Sequence, residues 1–219
     1  MPVEEWRLFP SDAADAPLVV TLLGEEDGES VYTAIRERSA EPFSLLTVRA
    51  ADWNRDLSPW PAESAFRGGA PFGGGAADFL DRLLDGILPE ALCALRGQPP
   101  YYALAGYSLA GLFALWAACQ TPIFSRLGSM SGSLWFPGFA DYALRLDLSA
   151  STERIYLSLG DREARTRNTL MRTVEQCTIQ LRDHWAAQGI ETLYETNPGN
   201  HFQDPVGRIA RGIAWLLRE

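Results

Sequence analysis

Bond-breaking chemistry in this 219-residue chain has few candidate residues, and their types narrow the reaction. There are only two histidines, and the three cysteines (Cys93, Cys119, Cys177) lie far apart with no CxxC or other metal-type spacing. A multi-histidine metal site is disfavoured on that count. A serine stands out instead: Ser108, in the frame Gly106-Tyr107-Ser108-Leu109-Ala110-Gly111. A hydroxyl becomes a nucleophile when a base takes its proton and a third group orients that base. One solution sets the serine on a tight strand-to-helix turn whose residues at minus two and plus two must be small. Gly106 and Ala110 occupy those positions; the usual plus-two residue is glycine, and alanine departs from it while remaining small. The competing reading makes Ser108 the N-cap of the following helix.

The rest of the chain favours the nucleophile, because the template requires an acid and then a base on loops after later strands. His201 sits in TNPGNHFQDP, a turn-rich segment between a strand and the last helix, whereas His184 lies inside a long helical pattern beside Trp185. The acid should follow the strand Ile155–Leu159, where Gly160-Asp161-Arg162-Glu163 offers two carboxylates. Spacing from the strand-ending glycine favours Glu163; Asp161 is the alternative acid, or a cap for the next helix. For the oxyanion, one donor is the N–H of Leu109 at a helix N-terminus. The second is expected from Gly24 or Glu25 in LVVTLLGEEDGES, unless Gly24 is an ordinary strand-ending turn.

These residues need elements to hold them. Short apolar runs alternate with amphipathic segments, the mark of βαβ units and a mainly parallel sheet. Strands are expected at Leu18–Leu23, Ser44–Val48, Tyr101–Ala105, Leu127–Met130, Ile155–Leu159 and Thr192–Thr196. Helices are expected at Glu29–Arg38, Ala76–Leu95, Leu109–Ala118, Glu163–Gln188 and Asp204–Leu217. In the long helix Leu170, Val174, Cys177, Leu181 and Trp185 form one apolar stripe. The fold class is therefore α/β, a mainly parallel central sheet with helices on both faces, in a single domain over residues 1–219. The Gly-, Pro- and Trp-rich stretch from Ala50 to Gly75 reads as a rim over a pocket; a phosphate cradle would need a Gly-Lys-Ser/Thr that is absent.

Several motifs in order resemble the esterase family of α/β-hydrolases that includes the enterochelin-type siderophore esterases. PLVVTLLGE resembles its oxyanion strand, LLTVRAADWNRDLSPW its next strand, GYSLAGLFALWA its nucleophile turn, LGSMSGSLWFPG its Ser-Gly-Ser segment, SLGDRE its acid loop and NPGNHF its histidine loop. The resemblance implies a Ser-His esterase whose third member varies, with the glutamate position falling on Glu163.

The expected activity is cleavage of a small-molecule carboxylic ester through an acyl-enzyme. An acyltransferase or thioesterase using the same residues, or a non-catalytic binding protein on this fold, are the alternatives. Trp53, Trp60, Trp135 and Phe136 are candidate pocket walls, and Arg55 would meet an acidic substrate group unless it pairs with Asp52 or Asp56. No metal or organic cofactor is expected. A net charge of −9 argues against nucleic acid or an anionic membrane as partner. MPVEEWRLFPSDAADAP holds no basic start followed by an apolar run, and the cysteine pattern suits reduced core thiols, so a cytoplasmic location is expected.

Overall fold

The computed structural model describes residues 5–65 and 68–218. Phe66 and Arg67, within the expected rim, and the first four residues lie outside the described residues. Strand β1 (Glu5–Phe9) is followed by β2 (Leu18–Leu22), helix α1 (Gly28–Arg36), β3 (Ser44–Arg49) and the short α2 (Trp53–Asp56). A ribbon of β4 (Pro61–Ala62) and β5 (Phe72–Gly73) precedes α3 (Ala76–Arg82), a π-helical turn (Leu83–Ile87) and α4 (Leu88–Leu92). Then come β6 (Tyr102–Tyr107), α5 (Leu109–Ala118), β7 (Phe124–Met130), α6 (Phe139–Ala143), β8 (Arg154–Gly160), α7 (Val174–Ala187), β9 (Glu191–Asn197) and α8 (Pro205–Leu216).

Seven strands form one sheet in the order β1-β3-β2-β6-β7-β8-β9. All neighbours run parallel except β1, which pairs antiparallel with β3. The six expected strands are present and the mainly parallel sheet is as anticipated. β1 had no sequence signature, because three of its five residues face solvent at the sheet edge.

Alternation along the strands divides the core. Leu18, Val20, Leu22, Leu46, Leu104, Leu127 and Leu157 bury against α3, α4, α5 and α7 on one face. Val19, Leu45, Ala103, Ala105 and Tyr156 bury against Val31 and Ile35 of α1 and Ile209 and Ile213 of α8 on the other. Burial on both faces explains why β2, β3 and β6 read as near-continuous apolar runs.

Two helices depart from expectation. The segment expected as Ala76–Leu95 is broken by the π-turn. The helix expected from Glu163 begins only at Val174, after a 3₁₀ turn at Met171–Thr173, so Leu170 is outside it. Residues 161–170 are a connection, which puts Glu163 on a loop after β8.

The strand order reverses between β2 and β6. From β2 the chain turns to α1 on one face, and from β6 to α5 on the other, leaving a crevice between the two strand ends. Open α/β sheets bind ligands at such a point. Leu22 pairs with Gly106 in register, so Gly24 and Ser108 each lie two residues beyond that pair.

Candidate active site

Ser108 follows directly on β6 with φ 58° and ψ −121°, one of three described non-glycine residues with positive φ. That conformation costs on the order of 1–3 kcal/mol and persists only where its surroundings fix it. Here the Ser108 N–H donates to the Met130 carbonyl (3.1 Å), while its own carbonyl accepts from Gly111, Leu112 and Ser133 N–H groups. A Cβ on Gly106 would sit 2.5 Å from the Ala110 carbonyl carbon, so the two small residues are demanded by one close approach. The Ser108 side chain makes no capping bond to α5. Its hydroxyl lies 3.0 Å from His201 Nε2.

His201 Nδ1 lies 2.8 Å from Glu163 Oε2. The other oxygen of Glu163 accepts from Gly160 N–H (2.6 Å), Ser131 Oγ (2.7 Å) and Arg208 Nη1 (2.9 Å). The carboxylate is only 4% exposed, and burial works to raise its pKa. Hydrogen bonds from His201, Gly160 and Ser131 and the charge interaction with His201 outweigh burial and hold it below the usual carboxylate range. An ionised Glu163 only accepts, so Nδ1 carries the proton and Nε2 is left to accept from the Ser108 hydroxyl. The arrangement can withdraw a proton from Oγ and stabilise the imidazolium that results.

Of the two carboxylates after β8, Glu163 is the one brought to His201. Asp161 accepts the Gly199 N–H (2.8 Å) and steadies the histidine loop. His184 bonds the Leu146 carbonyl and Gln188, far from the site in the chain's long helix.

Arg208 was not anticipated. It is fully buried on α8, and besides Glu163 it donates to the carbonyls of Pro198 and Asn200 (3.0 Å each) and to Tyr107 (3.3 Å). The Tyr107 hydroxyl in turn donates to the His201 carbonyl (2.6 Å). One guanidinium thus locks the acid and the histidine loop together. A Cβ on Gly160 would collide with the Gly199 carbonyl and crowd Arg208, so glycine ends β8 for lack of space. The available signal was an arginine between Gly207 and Ile209, on the same side of the helix pattern as the apolar residues, whereas Arg211 three residues on pairs with Asp204.

A cavity of about 540 Å³ opens over Ser108. Trp53, Phe72, Trp135 and Met171 give it apolar walls, Leu109 and Ser133 flank the serine, and Arg162 and Arg165 reach it from the loop after β8. Trp53 and Trp135 are therefore where they were expected. Trp60 and Phe136 are not in the wall: Trp60 donates to the Pro137 carbonyl (2.9 Å) and packs edge-on against Phe136 behind it. Arg55 is also outside the wall, paired with Asp56 (2.7 Å) and Asp78 (2.6 Å). A second cavity of about 450 Å³, lined by Glu25, Glu26 and Tyr107, shares His201 and Phe202 with the first. At the crevice, the Gly24 N–H donates to Glu26 Oε2 (2.8 Å). Leu109 opens α5, so its N–H has no partner within the helix.

Cys119 and Cys177 are half-buried free thiols, but Cys93 is exposed at the end of α4, which corrects its expected core placement. Burial pushes the Cys119 thiol up to about 12. Among the described residues no group of histidines, cysteines and carboxylates could hold a metal ion, and no helix is long and apolar enough to cross a membrane.

A mostly parallel sheet with a positive-φ serine after β6, an acid after β8 and a histidine after β9 defines an α/β-hydrolase arrangement. The Esterase family model, described as "Putative esterase", matches residues 25–205, and the chain belongs to that family. The uncharacterized protein YbbA of Bacillus subtilis (strain 168) is 24% identical over 192 residues, covering 83% of this chain and 75% of YbbA. Among solved structures, the siderophore hydrolase EstA of Aspergillus nidulans superposes with a TM-score of 0.70 at 20% identity, covering 93% of this chain and 82% of EstA. The BES protein of Bacillus cereus gives a TM-score of 0.76 at 15% identity, covering 99% and 89%. At these identities the structural likeness is one of fold.

Proposed function

We propose that this esterase cleaves a carboxylic ester in two steps through a covalent acyl-serine, within one α/β-hydrolase unit. Ser108 Oγ attacks the carbonyl carbon as His201 Nε2 takes its proton; Glu163 orients the imidazole and offsets its charge. The oxyanion is held by Leu109 N–H and by the turn at Gly24 and Glu25. Collapse of the intermediate breaks the bond to the alcohol, which leaves with the proton from His201. Water, deprotonated by the same nitrogen, then attacks the acyl-serine and frees the acid.

The observation that carries this reading is the continuous relay from Ser108 Oγ through His201 to Glu163, at 3.0 and 2.8 Å. A short p-nitrophenyl ester should be turned over by the wild type, and Ser108→Ala and His201→Ala should each lose several orders of magnitude with the fold intact. A fluorophosphonate should label Ser108 in the wild type. An unlabelled wild type, or full activity in Ser108→Ala, would overturn the proposal.

The substrate we assign is a small ester whose acyl part is flat and acidic. Aromatic walls suit a flat body, and Arg162 and Arg165 are the cations of the cavity. The one carboxylate in its wall, Glu163, is already held by Arg208 and His201. Arg165 has no carboxylate partner among the described residues, so its charge is available to a ligand. The siderophore hydrolase EstA shares this fold, and a siderophore-like ester is within the proposed class. A cytoplasmic setting, consistent with three free cysteines, is part of the same proposal.

A further inference from the structure

Sequence left the second oxyanion donor open between Gly24 and Glu25. We infer that it is the Glu25 N–H, and that Arg49 is the positioning residue that aims it; the inference rests on the esterase reading above.

The Gly24 N–H is already taken by the Glu26 carboxylate at 2.8 Å. No group among the described residues accepts the Glu25 N–H. Arg49, at the end of β3, directs its guanidinium to two main-chain carbonyls of this turn: Nη1 donates to Gly24 and Nη2 to Glu26 (2.5 Å). Among the described residues it forms no salt bridge.

The Gly24 carbonyl and the Glu25 N–H belong to one peptide group. In a planar trans peptide the two point in opposite directions, so fixing the carbonyl on Arg49 points the N–H away from Arg49. Arg49 lines a hollow with Trp6, Arg7 and Thr47, whereas Glu25 lines the cavity that reaches His201. The N–H is thereby turned out of the Arg49 hollow, and Glu25 borders the cavity that also has His201 in its wall. Register places this turn beside the serine, because Leu22 and Gly106 are paired and each chain runs two residues on to Gly24 and Ser108. A cation on the carbonyl also polarises the peptide and strengthens its N–H as a donor.

The test compares wild type, Arg49→Gln and Arg49→Lys on a p-nitrophenyl ester. It also measures inhibition by a trifluoromethyl ketone, which forms an oxyanion on Ser108, and by the matching unreactive amide, which does not. Loss of one oxyanion donor in a hydrolase typically costs about 100–1,000-fold. Misaiming it in Arg49→Gln should cost about 10–100-fold in kcat and in ketone affinity, with KM and amide affinity held. Arg49→Lys, which keeps a cation able to reach one carbonyl, should recover part of the loss. Equal weakening of ketone and amide, or no change in either, would overturn the inference. Should Arg49→Gln fail to fold, replacing residue 25 by its α-hydroxy analogue removes the N–H with little change of shape. Unchanged ketone affinity there would overturn the assignment; a selective loss would support it. A wild type that neither turns over ester nor takes the fluorophosphonate would instead refute the esterase reading.

Discussion

At the scale of single residues, Glu163 and Arg208 set the electrostatics of the site. Both are buried and paired at 2.9 Å, so removing one partner strands the other's charge. Glu163→Gln or Arg208→Met should each destabilise the fold by about 3–5 kcal/mol, read from urea unfolding. The pH dependence has a definite sign. The folded pKa of Glu163 lies below its ordinary value, so its stabilising contribution is complete above the usual carboxylate range and is lost as pH falls through the folded pKa. The Tm gap between wild type and Glu163→Gln should therefore be wide at pH 7 and close on acidification; a gap independent of pH would contradict the assignment. Arg165→Gln should lower kcat/KM about tenfold for an ester with an acidic acyl group and leave a neutral isostere unchanged, as loss of one charge-assisted contact predicts. Ser108, His201 and Glu163 were legible because each sits where a strand pattern stops and a turn begins. Arg49, Ser131 and Arg208 were not, since they act by reaching across to other loops and carry no local periodic signal.

At the scale of elements, the strands were read well because β2, β3 and β6 are buried on both faces and leave near-continuous apolar runs, while β7 and β8 carry Ser125, Arg126, Ser129 and Ser158 among their apolar residues. The connection after β8 was misread as helix. Leu170 falls in step with the stripe of α7, but Thr166 and Asn168 offer the backbone other partners: Thr166 Oγ1 accepts from Asn168 N–H, and Asn168 Oδ1 accepts from Leu170 and Met171. Such local bonds compete with helix. Asn168 also donates through Nδ2 to the Ala65 carbonyl, tying this connection to the segment that precedes the ribbon strand β5. Asn168→Ala should raise KM about fivefold with kcat held, the pattern of lost substrate binding without lost chemistry. A fall in kcat alone would place Asn168 with the reacting groups instead.

At the scale of the whole molecule, the core and the site are separable. Leu104 is fully buried within β6, beneath the serine turn. Leu104→Ala should cost about 2–5 kcal/mol of stability, while kcat measured well below the unfolding midpoint stays near the wild-type value. A large loss of kcat in the folded variant would mean that the sheet's packing is transmitted to the turn. Ser108, Glu163 and His201 follow strand ends, and much of the cavity wall comes from α2, β5 and residues 164–173. In the proposed mechanism those wall segments contribute no atom that exchanges a proton or forms a bond. Heritable change can therefore rewrite which ester is accepted by swapping these segments, leaving the reaction's machinery untouched; a library confined to them is the natural route to a retargeted enzyme.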